Sequence, residues 1–337
     1  IKSDAARDGR AERFVLHGVL SFPGSGIIPY FPPGFQAKVY NRPVLRYNML
    51  RFIPEQRGVL MPYADYHIHS NHSMDGRQTI AEACRAALAA GLDEVCFTDH
   101  IEFGHPDPGT DVPPDMDARA RDLEAACAAF PQLTIRSGVE IGDNPACHDR
   151  IRAWLKQYPV DFLLLSMHLI DGVDPYYEPG MARESYFAGK TRAQAYRLYA
   201  ECRVRQLQSW RPEEYDSLAH FGFVCKFAPY PPQTRPFVWQ DAPDEIDAAL
   251  AILAQSGKAL EINTSGWKAT AEPIASESIV RRFRELGGEF VTFGSDSHTA
   301  DYVGFRLAQA RALARRCGFR YAITAEKREA RPYVIPD

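Results

Sequence analysis

The chain has 337 residues, 45% hydrophobic and 24% charged, with a formal net charge of -4 at pH 7. That composition describes a globular protein large enough for one barrel or two ordinary domains. Its mild acidity gives no general attraction for nucleic acid or anionic lipid, and no apolar run approaches the length of a membrane span.

Residues 1–60 are rich in Pro, Gly and Arg, with Phe22-Pro23-Gly24 and Pro32-Pro33-Gly34 as breakers and no helical period. This segment reads as an N-terminal extension of unknown role. Either it is a real appendage or it is not native, with Met61 as a candidate start, and it lacks the order of a signal peptide. From Tyr63 onward strands and helices alternate. Strand-like runs are Tyr63–His69, Glu94–Thr98, Leu133–Ile141, Phe162–His168, Ser217–Phe221, Ala259–Asn263 and Glu289–Gly294. Between them lie helical patterns. Thr79 and Glu82 have capping-box spacing ahead of Ile80, Cys84, Ala87 and Leu88. Further helices are expected over Thr191–Trp210, Asp244–Ser256 and Arg306–Arg316. Seven such units without a Gly-x-Gly-x-x-Gly opening predict an α/β fold closed as a barrel over residues 61–337, with its polar residues at the C-terminal strand ends. Seven dispersed cysteines without a Cys-x-x-Cys pair suit a reducing, cytoplasmic setting.

Chemistry-bearing residues recur at those strand ends. Asp65, His67 and His69 alternate onto one face, with Tyr66 and Ile68 on the other. Asp75 follows shortly after. Then come Asp99-His100, Glu140, His168, His220 and Asp296-Ser297-His298. Six of the ten histidines sit at predicted strand ends; His17, His72, His105 and His148 do not, although His72 and His105 are close enough to line a cleft. Clustered imidazoles and carboxylates are what a multinuclear metal hydrolase requires.

In this order the motifs His-x-His, Thr-Asp-His, Gly-x-Glu, Ser-x-His, a lone His and Ser-Asp-x-His resemble the PHP (polymerase and histidinol phosphatase) superfamily over about residues 63–325. Glu261-Ile262-Asn263-Thr264-Ser265-Gly266, the Asp at position 75 and the insertion containing Phe187–Lys190 and Ala195–Tyr199 resemble its histidinol-phosphatase branch. The resemblance implies a distorted (β/α)7 barrel and three divalent ions, of Zn, Mn or Fe. One ion would take His67, His69, Glu140 and Asp296. A second would share Glu140 with His168 and His220, and a third would take Asp75, His100 and His298.

The resemblance also implies hydrolysis of a small phosphate monoester, L-histidinol phosphate foremost, by a monomer or homodimer with no nucleic-acid or membrane partner. Three divalent ions carry about +6, three carboxylates return about -3, and a phosphate dianion plus hydroxide brings the centre near neutrality. Asp65 and Asp99 are expected to orient nearby imidazoles. A water in the third ion's shell, Asp99 or Glu102 is expected to protonate the leaving group. Arg197, Arg203 and Lys268 are expected to contact the phosphate. Asp99, Glu102, Asp171 and Asp174 are expected at the rim to meet a substrate amine. The alternative enzyme reading is a phosphatase or phosphodiesterase acting on a nucleotide or oligonucleotide end. A non-catalytic binding module would lack ligands, and no expected ligand is missing.

Overall fold

The computed structural model describes residues 62–176 and 186–336, so the expectations for residues 1–60 lie outside it. Nine strands run in sequence order through one sheet: β1 (Ala64–Ile68), β2 (Glu94–Ile101), β3 (Thr134–Gly142), β4 (Phe162–Ser166), β5 (Ser217–Leu218), β6 (Ala259–Asn263), β7 (Phe290–Gly294), β8 (Tyr321–Glu326) and β9 (Glu329–Val334). The pairings from β1 to β8 are all parallel, and β9 turns back antiparallel on β8. The crossovers carry α1 (Ile80–Ala89), α2 (Met116–Ala129), α3 (His148–Gln157), α4 (Arg192–Ser209), α5 (Pro243–Ser256), α6 (Glu277–Glu285) and α7 (Leu307–Arg316). Among the described residues no helix is long and apolar enough to cross a membrane.

Local sequence accounts for the helix limits. α1 begins at the expected capping box, where Thr79 Oγ1 accepts from Glu82 N at 3.2 Å and Glu82 Oε2 accepts from Thr79 N at 2.8 Å. α4 repeats the device with Thr191 and Gln194. α5 stops at Gly257, which takes a left-handed φ of 68°.

Strands β1 to β7 form a distorted barrel. At the C-terminal ends β1 meets the extension of β7, with His69 N donating to Ser297 O (2.9 Å) and Asp296 N donating to His67 O (2.8 Å). At the opposite end β8 occupies that seam. There Ala325 N donates to Tyr66 Oη at 2.9 Å, and Tyr66 Oη donates to Glu94 Oε1 at 2.5 Å. The β8–β9 hairpin was not anticipated from sequence. Its turn residues Lys327 and Arg328 both have positive φ and are held from below. Lys327 N donates to Asp161 Oδ1 at 2.9 Å, and the Arg328 guanidinium grips buried Asp216 at 2.5 and 3.1 Å.

The lower interior is apolar: Ala64, Tyr66, Cys96, Phe162, Leu164, Ala219 and Ala325 form one buried cluster. Burying a Phe or Leu side chain there contributes roughly 1.5–3 kcal/mol. The polar layer lies above it. Two irregularities let the chain change from one layer to the other. The register of β1 against β2 slips between Asp65 and Ile68, a bulge that puts both Tyr66 and His67 on the inner face. The expectation that Asp65, His67 and His69 share a face is therefore corrected. Asp65 turns sideways to the seam, where it accepts from Ser295 N and Gly304 N at 2.9 Å each rather than orienting an imidazole. After β5, His220 takes a φ of 22°, which brings it inward beside inward-facing Ala219.

Candidate metal centre

The inner faces at the C-terminal strand ends converge on one carboxylate. Glu140 of β3 is fully buried, and its two oxygens face different imidazoles. Oε1 lies 2.7 Å from His220 Nε2 and 3.2 Å from His168 Nε2, and accepts from Ser166 Oγ at 2.5 Å. Oε2 lies 3.0 Å from His67 Nε2, 3.3 Å from His69 Nε2 and 3.2 Å from His100 Nδ1. Asp296 Oδ1 adds a second carboxylate 3.6 Å from His69 Nε2 and 3.8 Å from His67 Nε2. Outermost, Asp75 Oδ2 lies 2.9 Å from His298 Nε2. His69 is stacked between His100 and His298, with ring centroids 4.3 and 4.2 Å apart.

Donor atoms within 4.8 Å of one another form four overlapping groups: His69/Asp75/His100/His298, His67/His69/Asp296, His67/Glu140/His220 and His100/Glu140/His168. All nine residues expected as ligands fall in these groups. The grouping differs from the expected partition: His69 also joins the Asp75 set, Glu140 falls outside the His67/His69/Asp296 group, and His168 and His220 fall in separate Glu140 groups, with His100 and His67 respectively.

A second layer of side chains aims these donors. Glu261 Oε1 takes His67 Nδ1 at 2.6 Å, and its Oε2 accepts from His220 N at 2.7 Å. Gly294 makes room for this pair. A Cβ there would stand 2.3 Å from Glu261 Oε1 and 2.4 Å from His67 Cβ. Glu102 Oε1 takes His168 Nδ1 at 2.5 Å. Ser73 Oγ joins His69 Nδ1 (3.2 Å) to Asp99 Oδ1 (3.1 Å). Such carboxylate–imidazole pairs fix the tautomer and ring orientation of a ligand. Asp296 is held on its other oxygen, by Lys226 Nζ at 2.6 Å and Ser265 Oγ at 3.1 Å. Around His220, Tyr199 Oη accepts from Gly222 N at 2.7 Å and from Arg203 Nε at 2.8 Å, while Arg203 Nη2 donates to Ala219 O at 3.0 Å. These contacts offset the cost of the left-handed backbone.

The electrostatics are those of carboxylates packed against imidazoles. Burial works against charge on His69 and His168, yet the neighbouring carboxylates prevail. Asp296 and Glu140 raise His69 to about 9, and Glu102 and Glu140 raise His168 to about 10. His67 moves well upward for the same reason, through Glu140 and Glu261. Burial lowers His220 to about 4. Glu140 and Asp296 stay well below the ordinary carboxylate range against their burial, held by His67, His100 and His168 in one case and by Lys226 and His67 in the other. The donor set fits a divalent cation. It is all nitrogen and oxygen without thiolate, and the buried Nδ1 of His100 has no hydrogen bond although Glu140 Oε2 is 3.2 Å away.

The centre floors a cleft of about 650 Å³ whose lining includes Arg77, His105, Asp174, Lys226, Lys268 and Tyr302. Several expected roles are corrected here. Asp99 neighbours inward-facing His100 on a regular strand and so points outward. Its carboxylate accepts from Ser70 N (2.7 Å) and Arg119 Nε (2.5 Å), and Arg119 keeps it ionised despite burial, so it neither donates a proton nor meets an amine. Glu102 lines the cleft but is committed to His168. His168 and His100 lower it to about 2 against its burial, which suits an orienting carboxylate and not a proton donor. Arg197 is exposed and paired with Glu245 at 3.0 Å, away from the cleft lining. Arg203 is buried and spends its donors on Tyr199, Gln206 and the carbonyls of Ala219 and His220. Asp171 pairs with Arg205 at the surface, 3.3 Å away. Lys268 does line the cleft, with Nζ 3.8 Å from the Tyr302 ring centroid, and so do His105 and Asp174. His72 instead pairs with Asp122 at 2.9 Å. Lys226 was missed. Its signal was its place six residues beyond His220, on a loop that leaves the C-terminal end of a strand.

Comparison with known proteins gives a consistent picture. The PHP domain family model matches residues 65–265. A histidinol-phosphatase of Lactococcus lactis subsp. lactis is 28% identical over 260 residues, covering 77% of this chain and 93% of its own. A probable histidinol-phosphatase of Deinococcus radiodurans is 28% identical over 279 residues, covering 80% and 98%. Among solved structures, the histidinol phosphate phosphatase of Lactococcus lactis complexed with zinc, L-histidinol and phosphate matches with a TM-score of 0.70 at 27% identity. That match covers 80% of this chain and 98% of the other.

The raised imidazoles predict proton-linked metal binding. Without metal, His67, His69 and His168 hold protons at neutral pH, and a cation must displace them. Titrating zinc into metal-free protein at pH 7 in a weakly buffered indicator solution should release protons. Apparent affinity should rise with pH until about 9 to 10, where His69 and His168 lose their protons unaided. Zinc binding without proton release would contradict the charge assignment.

Proposed function

The chain belongs to the PHP-domain family, and on that premise we propose that it is a metal-dependent phosphoric monoester hydrolase that converts L-histidinol phosphate to L-histidinol and phosphate in histidine biosynthesis. The observation that carries the reading is the convergence of six imidazoles and two further carboxylates around Glu140, at the floor of a cleft that also presents Lys226 and Lys268. The likeness to a phosphatase complexed with L-histidinol and phosphate supports the substrate. We read the overlapping donor groups as seats for three divalent ions of Zn, Mn or Fe, with Glu140 shared between two of them. Bound there, the ions supply Lewis acidity toward phosphoryl oxygens and lower the pKa of water.

The chain's own residues do the rest. Glu261, Glu102 and the Ser73–Asp99 relay hold His67, His168 and His69 in fixed orientation, so little reorganisation is needed as charge shifts on the phosphoryl group. Lys268 stands in the cleft as a cation for the phosphate end. Asp174, which lines the same cleft 3.7 Å from His105 Nε2, is the carboxylate placed for a substrate amine. Fixing both ends of a small substrate favours reaction by geometry. Catalysis is assigned to residues 61–337 and none of it to residues 1–60. The seven cysteines are unpaired, which supports a cytoplasmic setting.

Glu140→Ala or His67→Ala should lower turnover more than ~100-fold while the fold persists, because each removes a donor and Glu140 serves several imidazoles. The check is phosphate release alongside circular dichroism, and turnover above half of wild type would overturn the assignment. Deleting residues 1–60 should leave kcat/KM within a few-fold of the full chain, and loss of folded protein would show that the segment packs on the barrel. The decisive test is a panel of phosphomonoesters under equal metal loading. Histidinol phosphate should give a higher kcat/KM than p-nitrophenyl phosphate or a nucleoside monophosphate. A nucleotide as the better substrate would move the function to nucleotide or oligonucleotide ends.

A further inference from the structure

Lys226 sits on the loop leaving β5, one residue past a 3-10 turn over Phe223–Cys225. Its stem lies among aromatic side chains, with Nζ 5.7 Å from the ring centroids of both Phe223 and Phe227. Nζ reaches Asp296 Oδ2 at 2.6 Å, and Ser265 Oγ reaches the same oxygen at 3.1 Å. The other oxygen, Oδ1, is the one turned toward His67, His69 and His298. The two oxygens of Asp296 thus have separate partners, one facing the imidazoles and one tied to an ammonium. An ammonium has three donors, and one is spent on Asp296. The side chain is about a fifth exposed and lines the same cleft wall as Lys268.

We propose that Lys226 has two hands: one fixes Asp296 so that a single oxygen faces the imidazole cluster, and the other binds a non-bridging oxygen of the substrate phosphate. The inference rests on the phosphomonoesterase reading and names a residue within it. The geometry favours Lys226 over the cleft's other cations as the link between the donor cluster and the phosphate. Lys268 is set over the ring of Tyr302, and Arg77 is exposed at the rim. A phosphate seated on the floor of the cleft would meet Lys226 beside Asp296. A dianionic monoester gains more from this extra charge than a monoanionic diester does, so Lys226 also favours monoesters.

The test compares wild type, Lys226→Met and Ser265→Ala, each loaded at saturating zinc and checked for metal content. Ser265→Ala removes the other contact to Asp296 Oδ2 and leaves the ammonium in place. Two readouts are taken: inhibition by inorganic phosphate, and the ratio of kcat/KM for p-nitrophenyl phosphate to that for bis-p-nitrophenyl phosphate. With metal content equal to wild type, Lys226→Met should weaken phosphate inhibition by about ten-fold or more, the loss expected for one charge-assisted hydrogen bond. It should also lower the monoester-to-diester ratio. Ser265→Ala should shift neither readout comparably. Unchanged phosphate inhibition in Lys226→Met overturns the proposal. So does failure of that variant to hold metal at saturating zinc, which would confine Lys226 to holding Asp296. Should wild type hydrolyse no monoester, the phosphatase reading itself fails, while phosphate binding to the loaded protein, measured by calorimetry, still decides the role of Lys226.

Discussion

A carboxylate with no route to water must be neutralised where it stands, and Glu140 is such a group. It is fully buried at the middle of the barrel mouth, and every donor group in the centre either includes it or shares a histidine with one that does. Isolated, its charge would cost several kcal/mol or more. The surrounding architecture answers that cost with imidazoles on all sides, two of them, His67 and His168, raised toward the charged form. Imidazoles approach from β1, β2 and the loops after β4 and β5, and Ser166 supplies a hydroxyl from β4 itself. In the metal-free protein His67, His69 and His168 bear protons, and bound cations take the protons' place. The same crowding that makes the site costly to build makes it selective for multivalent positive charge.

His67, His69 and His168 keep their places because each ring is braced from behind. The bracing groups come from elements other than those that carry the donors: β6 reaches His67 through Glu261, β2 reaches His168 through Glu102, and α4 supports the His220 turn through Tyr199 and Arg203. Removal of a bracing group would thus be felt across the barrel seam. The glycine at position 294 belongs to this scheme although it bears no chemistry, since any side chain there would drive Glu261 and His67 apart.

Much of this was legible in the sequence because strand ends leave a regular mark. Strands β1 to β7 and the capping box at Thr79 follow from periodicity and spacing, and the nine converging donors were named by the family resemblance. The failures have a common physical origin. Strand alternation was applied to β1 as though it had no bulge, which misplaced Asp65. It was not applied to β2, where it would have sent Asp99 outward from His100. Arg197 and Arg203 were judged by charge alone, yet the fate of a helical arginine depends on which face of α4 meets the barrel. Position 203 meets it and is consumed by backbone carbonyls, whereas position 197 faces solvent and pairs with Glu245. Lys226 escaped notice because it lies outside any motif, on a loop whose path only the fold reveals. The β8–β9 hairpin followed the last motif and carried no donor, so nothing drew attention to it.

That hairpin has a kinetic meaning. β8 fills the lower part of the seam between β1 and β7, and the turn at Lys327–Arg328 clasps Asp161 and Asp216 beneath β4 and β5. Closing the seam joins Ser295 to Asp65 and Ala325 to Tyr66, groups more than 200 residues apart along the chain. Such distant closures are slow steps in folding. A growing chain can pair β1 through β7 in order, but the ring lacks its lower seam until β8 follows. All nine donors lie before β8, so the hairpin closes the lower seam only after every donor residue has been added to the chain.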